Sequence, residues 1–254
     1  MGNIYEAHAV IKQALGYDSQ TPAYLASLIE VLEHPIMTDL LKAPLSGPFN
    51  GQVLRQAMFR EVIELIPPET IFETGTFHGT TTDFMAQIST AHIFTCEIHA
   101  GSFRYSLQRF HANPDVTVLN LDSRSFLRQY VPQFASRKSS LFYLDAHWDE
   151  EDLPLLEELQ IVFEHAPRAV ILIDDFQVWD DPGYGFDDYG PTRRLTLDYL
   201  APLAPFGPRY FFPLSSAEET NSLRGCVALT IDPEVADRLA QVSRLRPAPP
   251  PPSA

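Results

Sequence analysis

Short apolar segments alternate with longer amphipathic segments along most of the chain. Five apolar segments are rich in β-branched or aromatic residues and lack regular polar alternation: TIFETG, HIFTCEI, VTVLNLD, SLFYLDA and AVILIDDF. Between them stand four segments whose apolar residues recur at helical spacing: TTTDFMAQIS, AGSFRYSLQRFHA, SRSFLRQYVPQFA and DLPLLEELQIVFEHA. Strands of this kind are buried on both faces. The pattern therefore predicts an α/β fold with a doubly wound, mostly parallel sheet between two layers of helices.

The chain before the first strand is predicted to be helical. AYLASLIEVLEHPIMTDLLK has helical spacing interrupted by Pro35. GQVLRQAMFREVIELI repeats the spacing with one apolar face, formed by Leu54, Met58, Val62 and Leu65. A Pro-Pro pair ends this second helix. We therefore expect an N-terminal helical cap over residues 1–66, which could cover the sheet as a lid or form the contact of a homodimer.

The chain after the fifth strand predicts irregular structure, then a helix and two strands. QVWDDPGYGFDDYGP is too rich in glycine, proline and aspartate to be regular, and it could close over a substrate or be a solvated surface loop. RRLTLDYLAPLA is predicted to be a helix, and RYFFPL and GCVALTI an antiparallel pair of closing strands. The α/β domain is expected to span 67–246, followed by a proline-rich disordered tail over 247–254.

The charge of the chain restricts its ligands. The 254 residues include 18 Lys and Arg against 33 Asp and Glu, a formal net charge of −15. Such a field repels nucleic acids and anionic membranes and favours a neutral or cationic small molecule or a divalent cation. No apolar run approaches the roughly 20 residues that cross a bilayer, and the first residues lack the pattern of a secretory signal. The two cysteines give neither a disulfide framework nor zinc spacing, so we expect a cytoplasmic protein.

The end of the first predicted strand carries the motif Glu73-x-Gly75-x-x-x-Gly79-x-Thr81. In an open parallel sheet, ligands bind beyond the carboxyl ends of the strands. The two glycines allow the backbone to turn tightly and to approach a ligand, and the helix that follows offers unpaired N–H groups. The same glycines would serve a tight turn without any ligand, so the motif alone leaves both interpretations open.

The ends of the second and third strands add polar residues at the same edge. Glu97 can accept hydrogen bonds from both ribose hydroxyls of an adenosine cofactor, and Asp122-Ser123 can meet the adenine amino group. A nicotinamide dehydrogenase would also place an acid after its second strand. However, the Gly-x-Gly-x-x-Gly fingerprint that a pyrophosphate requires is missing from the motif. We therefore expect S-adenosylmethionine, a cofactor without phosphates.

Three aspartates follow the fourth and fifth strands. Asp145 ends the fourth strand, and Asp174 and Asp175 end the fifth. Carboxylates that converge at one edge repel one another unless a cation lies between them. Because oxygen ligands alone favour a hard ion, we expect Mg²⁺, or else Mn²⁺ or Ca²⁺, rather than zinc. A helix cap or turn would also explain the Asp174-Asp175 pair. His147 could be a base, a contact outside the ligands or a histidine of a loop.

These motifs, over residues 55–180, resemble the class I S-adenosylmethionine-dependent methyltransferases, whose sheet is Rossmann-like, and in particular the divalent-metal-dependent O-methyltransferases of the catechol and macrocin kinds. The resemblance implies a cofactor site formed by Glu73, Gly75, Thr76, Phe77, Gly79, Thr80, Thr81, Glu97, Asp122, Ser123 and Asp145. It implies a metal site formed by Asp145, Asp174 and Asp175, the last of which is Asn in the catechol enzymes. Those enzymes place a lysine base shortly after the first metal ligand, whereas His147-Trp148-Asp149 follows Asp145 here.

The activity implied by the resemblance is transfer of a methyl group to a hydroxyl of a small molecule, such as a natural product or a sugar. The metal would bind and acidify that hydroxyl, with Asp145 and His147 as catalytic residues. Two alternatives stay open. One is an enzyme of the cephalosporin-hydroxylase kind, with the same fold and oxygen chemistry; the other is a non-catalytic subunit that binds cofactor or metal. Fold alone does not decide among them.

Overall fold

The computed structural model describes residues 47–135, 139–147 and 152–248. The predicted helix AYLASLIEVLEHPIMTDLLK, and with it most of the predicted cap, lies outside the described residues, as do residues 249–254 of the predicted tail. Among the described residues, no helix is both long and apolar enough to cross a membrane.

One sheet of eight strands carries the fold, in the order β3-β2-β1-β4-β5-β7-β6-β8. The strands are β1 Thr70–Thr74, β2 His92–Cys96, β3 Val116–Leu119, β4 Ser140–Leu144, β5 Ala169–Asp174, β6 Arg209–Pro213, β7 Cys226–Thr230 and β8 Leu245–Pro247. The pairings among β1 to β5 are parallel, and those of β7 with β5, of β6 with β7 and of β6 with β8 are antiparallel. The predicted α/β class is confirmed, as is the antiparallel closing pair. The strand order reverses between β1 and β4, where open sheets of this class bind ligands.

Helices connect the parallel strands as the amphipathic segments predicted. They are α1 Val53–Leu65 before the sheet, α2 Thr80–Ile88, α3 Ala100–Phe110, α4 Ser123–Phe134 and α5 Leu155–His165 between strands, and α6 Pro233–Leu239 after β7. Two elements, α6 and β8, are not predicted by the sequence. Both are too short to contain the repeated spacing from which a helix or strand is read.

The core lies in two layers because successive side chains of a strand point to opposite faces of the sheet. Ile71, Ile93, Leu141 and Val170 pack with residues of α1, α2, α3 and α6 on one face. Phe72, Phe94, Phe142 and Ile171 pack with residues of α4 and α5 on the other. The buried face of α1 consists of Arg55, Met58, Phe59, Val62 and Ile63. It shares only Met58 and Val62 with the predicted face. The observed face is therefore rotated around the helix and includes Arg55, which a search for apolar residues does not select.

The prediction of a helix for the segment RRLTLDYLAPLA is wrong. Residues 191–200 form turns, and a 3-10 helix spans Ala201–Phe206. Arg194 forms an isolated β-bridge with Asp188, and the N–H of Leu195 donates to the carbonyl of Asp187. The carbonyl of Arg193, which a helix would use, instead accepts a hydrogen bond from the N–H of Tyr189 at 3.0 Å, and Pro202, inside the predicted helix, has no N–H to donate.

The sheet extends into the segment that the sequence predicts to be a disordered tail. Pro247 belongs to β8, and the N–H of Ala248 donates to the carbonyl of Tyr210 at 2.8 Å. Proline is tolerated there because β8 is an edge strand.

Candidate active site

The loop after β1 lies directly against the end of β4. Gly75 has φ of 86°, and a Cβ atom at this position would lie 2.4 Å from the carbonyl oxygen of Asp145. The N–H groups of Gly75 and Thr76 both donate to the carbonyl of Cys96 at 3.0 Å. The loop is thus anchored to β2 on one side and lies in contact with β4 on the other. The predicted cofactor motif and the first predicted metal ligand are neighbours for that reason.

Glu73 and Thr76 support this loop from inside the protein. The Glu73 carboxylate is buried and accepts hydrogen bonds from the hydroxyls of Thr82 at 2.5 Å and Thr95 at 2.6 Å. The Thr76 hydroxyl lies 2.5 Å from that of Thr95. Burial raises the pKa of Glu73 to about 7, against the smaller opposing effect of the two hydroxyls. Both side chains therefore belong to a buried polar network beneath the loop.

Glu97 ties the loop after β1 to the chain after β2. Its carboxylate accepts a hydrogen bond from the N–H of Phe77 at 2.8 Å and another from the N–H of His99 at 2.7 Å. Burial raises the pKa of Glu97, and these backbone hydrogen bonds oppose the rise. Phe77 has φ of 47°, a left-handed conformation that is uncommon for a residue other than glycine. Each carboxylate oxygen has a further lone pair with which to accept a hydroxyl group.

The third predicted pair and the two threonines of the motif lie at helix N-termini. Asp122 is the N-cap of α4, and its carboxylate accepts a hydrogen bond from the N–H of Ser125 at 3.2 Å. Burial would raise the pKa of Asp122, but the hydrogen bonds from Ser125 and the charge of Arg124 lower it overall. Ser123 is the first residue of α4. Thr80 and Thr81 begin α2, whose N-cap is Gly79 with φ of 72°. The N-termini of α2 and α4 therefore both lie at the carboxyl edge of the sheet, and helix N-termini favour groups with partial negative charge.

Two exposed apolar residues neighbour Glu97: Ile98 follows it in the chain, and the N–H of Phe77 donates to its carboxylate. Ile98 is 62% exposed and Phe77 is 53% exposed, whereas most large apolar residues of the described chain are buried. The side-chain amide of Asn120 donates to the carbonyls of Glu97 at 2.7 Å and Ile98 at 3.2 Å and so holds this turn. Ile98 was not predicted as a site residue. The sequence signal for it is its position directly after Glu97, the acid that follows β2.

Asp174 is enclosed by partners of its own. Its carboxylate forms an ion pair with Arg55 and accepts hydrogen bonds from the Tyr143 hydroxyl at 2.5 Å and from the N–H of Asp175 at 2.8 Å. Burial alone would raise the pKa of Asp174, but the charge of Arg55 and the Tyr143 and Asp175 hydrogen bonds lower it overall. The structure does not bring Asp174 into the cluster of candidate metal ligands. Its role in the fold is to connect β5 to Arg55 of α1.

Asp145, His147 and Asp175 form that cluster. One ligand atom from each lies within 4.8 Å of the other two. Burial raises the pKa of the Asp145 carboxyl well above its ordinary value, and the charges of Asp174 and Asp175 add to the rise. Burial likewise raises the pKa of Asp175 to about 7, with Asp174 adding to the rise and Arg224 opposing it. Two of the three predicted metal ligands are thus brought together, with His147 in place of Asp174.

His147 is 1% exposed, and neither of its ring nitrogens has a hydrogen-bond partner of normal geometry within the described residues. Burial lowers the pKa of the imidazole. The negative charges of Asp187 and Asp174, and the backbone of Asp174, oppose this and favour the protonated ring. The neutral ring that results has a lone pair to offer. The geometry allows His147 to accept a proton or to coordinate an ion.

Arg224 and Asp187 complete the site and are not predicted by the sequence. The guanidinium of Arg224 donates to Asp175 at 2.5 Å and also pairs with Asp187, whose backbone N–H donates to the carbonyl of Asp175 at 2.9 Å. Asp187 follows β5 by a dozen residues and Arg224 precedes β7, so neither stands at the carboxyl end of a parallel strand. The charged residues of the loop over 177–191 are all aspartates, and nothing in its sequence shows which of them pairs with Arg224.

The loop over 177–191 is fixed at its centre. Tyr184 is buried and its hydroxyl donates to the carbonyl of Leu214 at 3.2 Å. The N–H of Gly185 donates to the carbonyl of Leu223 at 2.7 Å. Tyr189, farther along, donates through its hydroxyl to Asp187 at 2.5 Å. Tyr184 is therefore a core residue and is not available to close over a substrate.

Comparisons with known proteins identify the fold. No family model and no curated protein matches the chain. An O-methyltransferase from Bacillus cereus, solved in complex with S-adenosylhomocysteine, matches at a TM-score of 0.52 and 15% identity over 88% of this chain and 97% of that one.

The O-methyltransferase TomG from Streptomyces achromogenes, involved in tomaymycin synthesis and solved with S-adenosylmethionine, matches at a TM-score of 0.51 and 12% identity over 81% of this chain and 88% of that one. Together with the sheet order and the helical connections, these matches confirm the fold that the motifs predict. The chain has the Rossmann-like α/β fold of the class I S-adenosylmethionine-dependent O-methyltransferases.

Proposed function

We propose that this protein is an S-adenosylmethionine-dependent O-methyltransferase that uses a divalent cation and acts on a hydroxyl of a small molecule. The observation that carries the proposal is the close approach of Gly75 to Asp145, whose carbonyl oxygen would lie 2.4 Å from a Cβ on Gly75. This approach puts a cofactor loop beside a cluster of candidate metal ligands. A methyl donor and an acceptor hydroxyl must lie next to each other to react in line.

The cofactor would lie along the carboxyl ends of β1, β2 and β3. The loop over 75–79 and the first turn of α2 offer backbone groups to its methionine part, and Glu97 offers carboxylate lone pairs to its ribose. The exposed side chains of Ile98 and Phe77 can pack on the faces of adenine, and Asp122 with Ser123 can meet its amino group. The absence of the pyrophosphate-binding glycine pattern supports this choice over a dinucleotide.

The residues of the acidic cluster fit a divalent cation. Arg55 pairs with Asp174, and Arg224 pairs with Asp175 and Asp187, whereas Asp145 has no ion pair among the described residues. The four carboxyl groups outnumber the two guanidiniums, and a cation would stabilise the ionised form of the excess acids. When bound, a divalent cation would supply Lewis-acid chemistry, which makes the proton of an acceptor hydroxyl easier to lose. Asp145 and Asp175 would hold the cation, and Asp174 with Arg55 fixes the end of β5, next to Asp175.

A small, neutral or cationic acceptor suits the chain better than a nucleic acid. The formal net charge of −15 repels phosphates. The product cofactor has lost the positive charge of the sulfonium, so an acidic pocket binds the methyl donor more strongly than the product. The acceptor is therefore proposed to be a hydroxylated natural product or sugar.

The experiment is transfer of a radiolabelled methyl group from S-adenosylmethionine to a panel of catechols, sugars and polyketides. We expect labelled product from at least one hydroxylated acceptor, loss of labelling in EDTA and recovery with added Mg²⁺ or Mn²⁺. Asp145→Asn should abolish labelling. Asp188→Asn is the matched control, because this acid pairs with Arg194 on the surface outside the cluster and its loss should leave labelling intact.

Three results would contradict the proposal. Full labelling in EDTA would remove the cation from the reaction. An oxidised acceptor without label would instead indicate the oxygen chemistry of the cephalosporin-hydroxylase kind. Cofactor binding without turnover of any acceptor would indicate a non-catalytic subunit.

A further inference from the structure

The candidate metal ligands include a nitrogen donor. Asp145 follows β4 directly, His147 lies two residues further on, and Asp175 follows β5 directly. The strands are parallel neighbours, with Leu144 opposite Ile173, so their ends bring these three side chains to one point. One ligand atom from each lies within 4.8 Å of the others. Two carboxylate oxygens and one imidazole nitrogen can therefore contact a single ion.

The burial of His147 is a second and independent sign of a ligand. Its side chain is 1% exposed, and both ring nitrogens lack a hydrogen-bond partner of normal geometry within the described residues. A buried polar group without a partner costs roughly 1–3 kcal/mol. An ion between the imidazole and the two carboxylates would satisfy one ring nitrogen and reduce the repulsion between Asp145 and Asp175 at the same time.

Asp174 would have to bind an ion beside the buried guanidinium with which it already pairs. Both of its oxygens are used: Oδ1 pairs with Arg55 and accepts the N–H of Asp175, and Oδ2 accepts the Tyr143 hydroxyl. An all-oxygen set of Asp145, Asp174 and Asp175 would place the ion on the same carboxylate as the buried guanidinium of Arg55, where the two cations repel each other and weaken the ion pair. The set that includes His147 does not place the ion on that carboxylate.

We propose that His147 is a metal ligand and that, through its nitrogen, the site prefers a first-row transition ion such as Mn²⁺, Fe²⁺ or Co²⁺ to Mg²⁺. Imidazole nitrogen binds these ions far better than it binds Mg²⁺, which favours oxygen donors and retained water. The inference rests on the proposed function only in placing the ion beside the cofactor. In this assignment His147 coordinates the ion and is not the proton acceptor.

The test is direct detection of nitrogen at bound metal, with Mn²⁺ as the probe and the full chain without cofactor or acceptor. Pulsed electron paramagnetic resonance of the Mn²⁺-loaded protein should show hyperfine coupling to one directly coordinated ¹⁴N. His147→Asp should still bind Mn²⁺ but lose this coupling. His111→Gln, which removes an exposed histidine at the end of α3, should keep it.

Calorimetric titrations of Co²⁺ and Mg²⁺ give the selectivity. Because His147→Asp replaces the nitrogen by an oxygen, the ratio of Co²⁺ to Mg²⁺ affinity should fall at least about tenfold in this variant, with Mg²⁺ binding retained or strengthened. Bound Mn²⁺ without nitrogen coupling in the wild-type chain, no binding of Mn²⁺, or an unchanged affinity ratio would each overturn the inference.

The two proposals fail separately. Labelled methyl product with Mg²⁺, together with Mn²⁺ that shows no nitrogen coupling, would refute the role of His147 and leave the methyltransferase intact. Nitrogen-coupled Mn²⁺ without methyl transfer to any acceptor would refute the proposed function and leave the metal assignment intact.

Discussion

The guanidinium of Arg55 pairs with the carboxylate of Asp174, and both side chains are almost fully enclosed. Arg55 lies on α1, before the sheet, and Asp174 ends β5. The same guanidinium donates to the carbonyl of Arg224, which precedes β7. One buried arginine thus joins α1 to the end of β5 and to the residues just before β7, at the candidate active site. The Asp174 carboxylate also accepts the N–H of Asp175, so the pair fixes the end of β5 beside this residue.

Replacement of Arg55 should lower the stability of the folded protein. Arg55→Met leaves Asp174 buried without its counter-ion, and we expect the free energy of unfolding to fall by about 3–5 kcal/mol. Urea denaturation measures the change. Arg109→Met is the control, since it removes an ion pair with Asp83 that is about one-third exposed, and it should cost under about 1 kcal/mol. Equal effects of the two substitutions would show that the buried pair is not a structural link.

Gly75→Ala should disrupt the junction of the cofactor loop and the metal cluster. The added Cβ would lie 2.4 Å from the Asp145 carbonyl oxygen, and φ at this position is 86°. Gly207→Ala is the matched control, since Gly207 has φ of 69° but no atom within 4 Å of the added Cβ. The control should cost about 1–2 kcal/mol of backbone strain. Gly75→Ala should cost more than this and should weaken S-adenosylmethionine binding.

The readouts for this pair are thermal unfolding and calorimetric titration of the cofactor. If both alanine variants lost the same stability and bound the cofactor as well as the wild type, the close approach of β1 to β4 would have no functional role.

The titration of Glu158 should lower the stability of the folded protein as pH rises towards neutrality. This residue of α5 is fully buried, and burial raises the pKa of its carboxyl to about 7, against smaller effects of the Ser123 and Thr74 hydroxyls. The unfolded chain releases the proton near pH 4.5, its ordinary value. The stabilising contribution is therefore complete below pH 4.5 and is lost as pH rises to about 7, by about 3 kcal/mol.

Glu158→Gln isolates this contribution, because the amide has a similar shape and does not titrate. Chemical denaturation from pH 4.5 to 8 should show the wild-type stability falling relative to the variant across this window. Glu73, whose pKa also rises to about 7, is present in both proteins and cancels in the difference. Parallel stability curves would contradict a raised pKa for Glu158.

Local patterns predict the sheet and most of the cofactor edge. Five apolar segments and the helices between them specify the parallel strands, and the strand ends then place Glu97 and Asp145 at one edge. The same reasoning selects Asp174 because it ends a strand. Its partner Arg55 stands 119 positions earlier on a helix with an apolar pattern, so no local signal shows that Asp174 is already paired.

The remaining differences also arise from tertiary contacts. The segment around Leu195 has helical spacing, yet its backbone bonds to the loop at Asp187. The burial of His147 depends on how the chain returns past β5, which the residues beside it in sequence do not reveal. The sequence predicts which residues lie at the carboxyl edge of the sheet, but it does not predict which of these residues pair with each other or with distant residues.

Calorimetric titration of the full chain with S-adenosylmethionine tests the central claim most directly. We expect one cofactor per chain and no heat from NAD⁺. Glu97→Ala removes the carboxylate that receives the N–H groups of Phe77 and His99, and the dissociation constant should rise roughly ten- to hundredfold. Asp115→Asn, an exposed acid before β3, should bind as the wild type does. No heat from S-adenosylmethionine, or equal affinities of wild type and Glu97→Ala, would contradict a cofactor site at this edge of the sheet.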